Sequence, residues 1–493
     1  MESITTMADA LRANTTLVAA VVLYTIAFHI FATLRKPISK IPGPWYSKWT
    51  SVVVTYHWLK GNKTYYVHDL HATYGPIVRV SPNEVSAPTV EGVKAIYNSR
   101  ETFVKSRFYQ DFTVGDYETL FNTSDAAFNR RHRRLLGAPM MEANIRTFEP
   151  TVVSLVNLTM ERMGQEMDER GAADLLKWWT FFSTDVIGEL TFGESFRTLQ
   201  QGKPSTYTND MKNVAQLGGT RATFPTLIPL TKILPIGPFE RARQAARNIS
   251  TYVSDSLSRY QRLIDSDPSR AAHTLFTKMN KAKDDDKLPF DELCGAAQTY
   301  IIAGTDTTAI TMTYLTWAVC RRPAIQAKLV EELRTLPADF TDIHLRELPY
   351  LRCVIEEALR LYTAVPGGLP RVVPPGGAEL VGHHLAQGTV VSGQAYTLHR
   401  DSAIFPRPLE FDPERWANPT KEMKDAFLAF GRGPRACLGL NLAWMELRMA
   451  TAKFFLSFPD ATVSGKVGMS DGSMHAKIFF LVKPSGGQCL VER

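Results

Sequence analysis

Within ten residues near the C-terminal end stand Phe430, Gly431, Arg432, Gly433, Arg435, Cys437 and Gly439. The cysteine is the one with chemistry to offer. Leu440 to Leu447 has helix-forming composition, so Cys437 is expected at a helix N-terminus. There the dipole and free N–H groups hold a thiol as thiolate, the form that ligates metals. Gly433 and Gly439 lack a Cβ, which lets the backbone turn sharply and approach a bound group. Arg435 offers a charge-assisted hydrogen bond to an anion, and Phe430 a ring that limits water access to the sulfur. A second cluster runs from Ala303 through Gly304, Thr305, Asp306, Thr307 and Thr308. Asp306 beside Thr307 puts an acid next to an alcohol, a pair able to relay protons. Gly and Thr are mediocre helix formers, and a hydroxyl can bond the i−4 carbonyl, so widening or bending is expected in that helix.

These residues need a scaffold. Long helical patterns cover Asn144 to Glu169, Leu175 to Gly188, Arg241 to Asp265 and Asp291 to Arg321, the last carrying Asp306 and Thr307. Short strand-like pieces such as Pro76 to Val80, and the Pro- and Gly-rich Val365 to Gly377, add a minor β component. The expected fold is mainly α with a small β region. The charged run from Lys281 to Lys287 reads as a solvated loop. Glu357 and Arg360 are neighbours at i and i+3 on one helix face, a spacing that surface ion pairs share.

Composition narrows the function class. The 493 residues are 44% hydrophobic and 21% charged, ordinary for a large globular core. Five scattered cysteines without a C-x-x-C pair indicate neither a disulfide framework nor a zinc site. A net charge of +7 suits an acidic partner or a membrane surface, and no nucleic-acid-binding motif occurs. Residues 15–34 form a mostly apolar stretch, long enough at ~1.5 Å per residue for a bilayer core. Arg35, Lys36 and Lys40 follow it. The expectation is a short luminal tail over 1–14, a transmembrane signal anchor over 15–34, a basic Pro-rich hinge over 35–44 and a catalytic domain over 45–493. The positive-inside rule puts that domain in the cytosol.

The Cys437 decapeptide resembles the haem-binding loop of the cytochrome P-450 family of haem-thiolate monooxygenases. Asp306 and Thr307 resemble that family's acid-alcohol pair. Glu357, Arg360 and Arg415, the last in Phe411 to Trp416, resemble its structural Glu-Arg-Arg network. Asp185 to Gly193 and Ile41 to Trp45 are similar to fungal, membrane-anchored, secondary-metabolism members. The resemblance implies a single large catalytic domain that binds haem b, with Cys437 as axial iron ligand. It implies that Asp306 feeds protons and Thr307 passes them on to dioxygen. It makes Arg371 and Arg435 propionate ligands. Arg133 falls on the Arg of a W-x-x-x-R segment whose aromatic or His slot is here Asn129, so His132 or a neighbouring arginine is an alternative donor. Arg130, Arg131 and Arg134 read as a solvated basic face suited to an electron donor. No flavin or nicotinamide fingerprint occurs, so electrons are expected from NADPH through a separate membrane-bound NADPH–cytochrome reductase of the endoplasmic reticulum. The implied reaction inserts one atom of O2 into a lipophilic substrate. Desaturation, epoxidation, ring rearrangement or coupling at the same haem is the alternative, and a non-catalytic haem sensor a remote one. Substrate contacts are expected near Phe103 to Phe121, Leu217 to Ile236, Tyr300 to Gly304, Val365 to Leu369 and Met469 to His475.

Overall fold

The computed structural model describes residues 17–18, 20–21, 23–25, 27–98, 100–113, 117–225, 237–266, 273–277, 288–466 and 468–493. Among the described residues the helices include α1 (Ala126–Gly137), α2 (Glu149–Arg170), α3 (Leu175–Phe192), α4 (Thr206–Thr223), α5 (Gly237–Ser266), α6 (Phe290–Cys320), α7 (Pro323–Leu333), α8 (Pro349–Leu361) and α9 (Leu440–Ser457). Their starts are written locally. Asp125 accepts from the Ala127 N–H, Asp174 from Leu176 and Ser205 from Thr208, each satisfying an otherwise orphaned helix donor. Gly171 and Gly193 end α2 and α3 in the left-handed region.

The core is built on α6 and α3, which pack extensively on each other. Helix α3 is apolar almost all round and buries Trp178, Trp179, Phe181 and Phe182, as an interior helix must. Gly304 sits at the crossing. A Cβ there would come 3.0 Å from Ile187 Cγ1, so the glycine serves close helix approach. The widening expected at Ala303 to Thr308 is not seen, and α6 is α-helical from Phe290 to Cys320. The i−4 hydroxyl bonds form instead, from Thr307 to Ala303 at 2.6 Å and from Thr311 to Thr307 at 2.8 Å. Close packing at Gly304 against Ile187 accompanies this continuous helix.

A five-stranded sheet stands to one side, built from β1 (Val78–Ser81), β2 (Glu84–Ser86), β3 (Val104–Lys105), β4 (Arg371–Val372) and β5 (Val390–Ser392) in the order β1-β2-β5-β4-β3. Only the β2–β5 pairing is parallel. The β3–β4 register sets Lys105 opposite Arg371, two cations side by side.

The Pro-rich segment is tied down. Arg79 on β1, 1% exposed, donates to the carbonyls of Ile41 at 2.5 Å, Ser39 at 3.3 Å and Pro44 at 3.2 Å. Upstream, residues 17–35 are helical where described, and Leu17, Leu23, Tyr24, Phe28 and Phe31 are exposed. Among the described residues no helix is long and apolar enough to cross a membrane. The expected 15–34 span falls partly outside them, since Thr15, Thr16, Ala19, Val22 and Ile26 are not described. The Lys281 to Lys287 run also lies outside.

Candidate active site: a cysteine loop, a cation cluster and a proton pair

The cysteine loop is closed by its own backbone. Cys437 N–H donates to the Phe430 carbonyl at 2.8 Å, and a 3-10 turn covers Gly433–Arg435. Gly433 has φ +70, and a Cβ there would lie 2.4 Å from the Tyr97 carbonyl oxygen, so protein against protein demands this glycine. Gly439 differs from expectation. It is the N-cap of α9 with φ −84, and a Cβ would meet nothing within 4 Å. No turn of the chain itself requires a glycine there. Phe430 is half-buried and packs against the main apolar core.

Cys437 does lead into α9, but helix placement alone does not hold its sulfur deprotonated. Burial pushes the thiol up, while the Gly439 N–H and the Arg133 charge pull it down by less. Coordination is what deprotonates such a thiol outright. The sulfur's residue stays open to solvent on one side although the protein crowds round it, unlike the other four cysteines, all buried.

Around this loop four cations gather. Arg133 donates to the Ala436 carbonyl at 2.8 Å and is held down by burial. Arg371 donates to the Tyr109 hydroxyl at 3.0 Å. Arg435 is ion-paired with Glu101 and donates to the Thr123 carbonyl at 3.1 Å and the Asp125 carbonyl at 3.3 Å. Lys105, which sequence reasoning missed, is 9% exposed and donates to the carbonyls of Leu120 at 3.0 Å and Phe121 at 2.7 Å. Burial first, then Arg371, Arg435 and Arg133, push its ammonium well down. Its strand, Val104–Lys105, is too short to carry an alternating pattern, so no local signal marked it.

His132 and its neighbours go elsewhere. His132 Nε2 meets Glu292 Oε2 at 2.8 Å and its ring stacks on Phe128. Arg131 pairs with the same Glu292 oxygen at 3.0 Å, so it is part of an α1–α6 clamp, not a purely solvated face. Asn129, 1% exposed, fills the slot in question and donates to Glu101 at 3.3 Å.

On α6 the buried pattern breaks mid-helix. Ile302 and Ala303 are exposed and Asp306 and Thr307 half-buried, with buried turns on either side. Ile302 and Asp306, like Ala303 and Thr307, stand one turn apart, so the acid and the alcohol share one accessible strip of an otherwise buried helix. Next to it, Thr308 hydrogen-bonds Glu446 of α9, a carboxyl 2% exposed whose pKa burial raises to about 8. Burial thus favours the protonated form of Glu446, a group not foreseen from the sequence.

The scaffold network is complete. Arg360 and Glu357, both fully buried, form a bidentate pair at 2.7 and 2.8 Å, and Arg415 Nε reaches Glu357 at 3.0 Å. Trp416 Nε1 donates to the remaining Glu357 oxygen at 2.9 Å. The link to the cysteine loop runs through His399, also missed. Its Nδ1 meets the Arg360 carbonyl at 2.9 Å, and its Nε2 accepts from the Leu428 N–H at 2.9 Å. An accepting Nε2 fixes the neutral Nδ1–H tautomer. Burial, ahead of the nearby Arg360 and Arg400 charges, lowers this imidazole to about 3.

The cytochrome P-450 family profile matches residues 42–489. This chain belongs to the cytochrome P-450 family. Three fungal relatives are cytochrome P-450 monooxygenases. The tazI protein of Aspergillus terreus is 44% identical over 488 residues, covering 99% of this chain and 100% of the relative. The orf2 protein of Aspergillus niger is 40% identical over 94% of each chain, and the aflV protein of Aspergillus parasiticus 33% identical over 92% and 91%. The family's cofactor is haem held by a cysteine thiolate, and Cys437 is the cysteine of this P-450's motif. The donor set fits such a group. One accessible thiol stands beside four desolvated cations, three of which (Lys105, Arg133 and Arg435) share Glu101 as acidic neighbour, an excess of positive charge that suits a dianion with two carboxylates.

Proposed function

We propose that this P-450 is a haem-thiolate monooxygenase that inserts one oxygen atom of O2 into a lipophilic, aromatic-bearing substrate, most simply as a hydroxylation. Electrons come from NADPH through a separate reductase. The single observation that carries the reading is the coexistence of an accessible Cys437 with an accessible Asp306–Thr307 stripe in an otherwise buried helix. Haem b, when bound, supplies the oxidising power through its thiolate-ligated iron. The chain's own residues do the rest. Cys437 ligates, Arg133, Arg371, Arg435 and Lys105 present positive charge to the propionates, and Phe430 shields the sulfur. Asp306 gathers protons and Thr307 hands them on. Thr307 donates to the Ala303 carbonyl at 2.6 Å, so handing a proton forward requires that bond to break.

Substrate class rests on rings. Phe108, Phe112, Phe121 and Phe480, all half-buried, form a cluster with centroid separations from 5.2 to 6.2 Å. Phe480 lies in the turn between strands Ala476–Ile478 and Val482–Pro484, just beyond the expected Met469 to His475. Such a cluster binds flat apolar groups by stacking and edge contact. The relatives' fungal origin supports a role in secondary-metabolite tailoring. The exposed apolar helix before Arg35 and Lys36 supports a single-pass anchor in the endoplasmic reticulum membrane with a cytosolic catalytic domain. Incubation with reductase, NADPH and isotopically labelled O2 tests the reaction class. One labelled oxygen in the product is expected, and a desaturated or coupled product without label would overturn insertion.

A further inference from the structure

The slot that the family fills with an aromatic residue or histidine is here Asn129, and its partner is a carboxylate. Asn129 donates to Glu101 Oε2, while Glu101 Oε1 pairs with Arg435 Nε. Both charged side chains are nearly inaccessible, at 6% for Glu101 and 4% for Arg435. Glu101 is also held at φ +53, in the left-handed region that a non-glycine residue enters at a cost. A side chain gripped at both oxygens is what keeps that backbone there. Glu101 is the acidic neighbour common to Lys105, Arg133 and Arg435. Arg435 has its donors on Glu101, Thr123 and Asp125, so it meets a propionate as a fixed charge that Glu101 partly offsets.

We propose that Glu101 is an electrostatic positioning residue for the haem. It fixes Arg435 and, as a buried negative charge in the propionate-binding cation cluster, it favours the ferric state and lowers the ferric/ferrous midpoint potential. This rests on the haem-thiolate reading of the site. A charge in a desolvated cluster acts strongly because little water screens it. Asn129 takes part as a neutral tether that orients the carboxylate without cancelling it.

The test is spectroelectrochemical titration of purified holoprotein, wild type against Glu101→Gln, Glu101→Met and Glu101→Asp, with the reduced carbon-monoxide band recorded for each. The two neutral variants are expected to shift the midpoint positive with the thiolate band retained. Glu101→Asp keeps the charge and is expected to stay near wild type. An unchanged midpoint in a neutral variant with an intact thiolate band overturns the proposal, as does an equal shift in Glu101→Asp. Loss of haem from both neutral variants makes Glu101 an assembly residue and overturns the tuning role. A wild type without the thiolate band overturns the reading of the site itself, and the proposal with it.

Discussion

Thr307, Glu446 and His399 are each controlled by where their protons go. Thr307→Ala removes the alcohol but leaves Asp306 and the packing of α6, so NADPH consumption persists while product falls, by roughly 10-fold or more on the scale of general acid–base effects. The lost electrons appear as peroxide. Measuring NADPH, product and peroxide together checks this, and unchanged coupling would remove the relay. Glu446 and His399 act on stability. A carboxyl raised to about 8 from an ordinary value near 4.5 stays protonated in the fold, while the unfolded chain ionises it. Its contribution is complete below about pH 4.5 and declines as pH rises towards 8. His399 runs the other way. Lowered to about 3, it binds a proton only on unfolding, so stability declines as pH falls from about 6.5 towards 3. Glu446→Gln keeps an acceptor and donor for Thr308 without the ionisation. Thermal midpoints recorded from pH 5 to 8 are expected to fall less steeply in the variant than in wild type.

The loop-bearing elements depend on α8. Its Glu357 holds Arg360, Arg415 and Trp416 at once, and Arg360 passes the constraint through His399 to Leu428, where the cysteine loop begins. Glu357→Gln leaves a buried guanidinium without its counter-charge, a loss of about 3–5 kcal/mol. Thermal unfolding and the haem-containing fraction of purified protein should both fall; a variant matching wild type would make the network dispensable. Helices were readable where periodicity was strong. The expected Leu175 to Gly188, Arg241 to Asp265 and Asp291 to Arg321 correspond to Leu175–Phe192, Gly237–Ser266 and Phe290–Cys320. The pattern from Asn144 begins instead with a short helix at Glu142–Ile145 and a 3-10 turn before Glu149–Arg170, where Pro150 starts a fresh first turn. Residues that act by tertiary contact were not readable. Lys105, Glu101, His399 and Glu446 carry no local motif, and only contacts with residues distant in the chain give each its surroundings. Gly304 was legible as a helix weak point, yet packing against Ile187 decides its use.

At the scale of the whole molecule, a largely buried core holds one accessible thiol among cations. If residues 15–34 anchor the protein, deleting 2–34 should move it from the membrane pellet towards the supernatant on ultracentrifugation, with Arg79 still clamping the Pro-rich segment. Retention of the truncated protein in the pellet would assign membrane binding to another surface. The central claim is that Cys437 ligates haem as a thiolate, and the most direct measurement is the reduced carbon-monoxide difference spectrum of wild type and Cys437→His. Wild type is expected to show the strongly red-shifted Soret band of thiolate-ligated haem, and the variant to lose that shift. A wild-type band at the imidazole position, or an identical spectrum in the variant, would contradict the account.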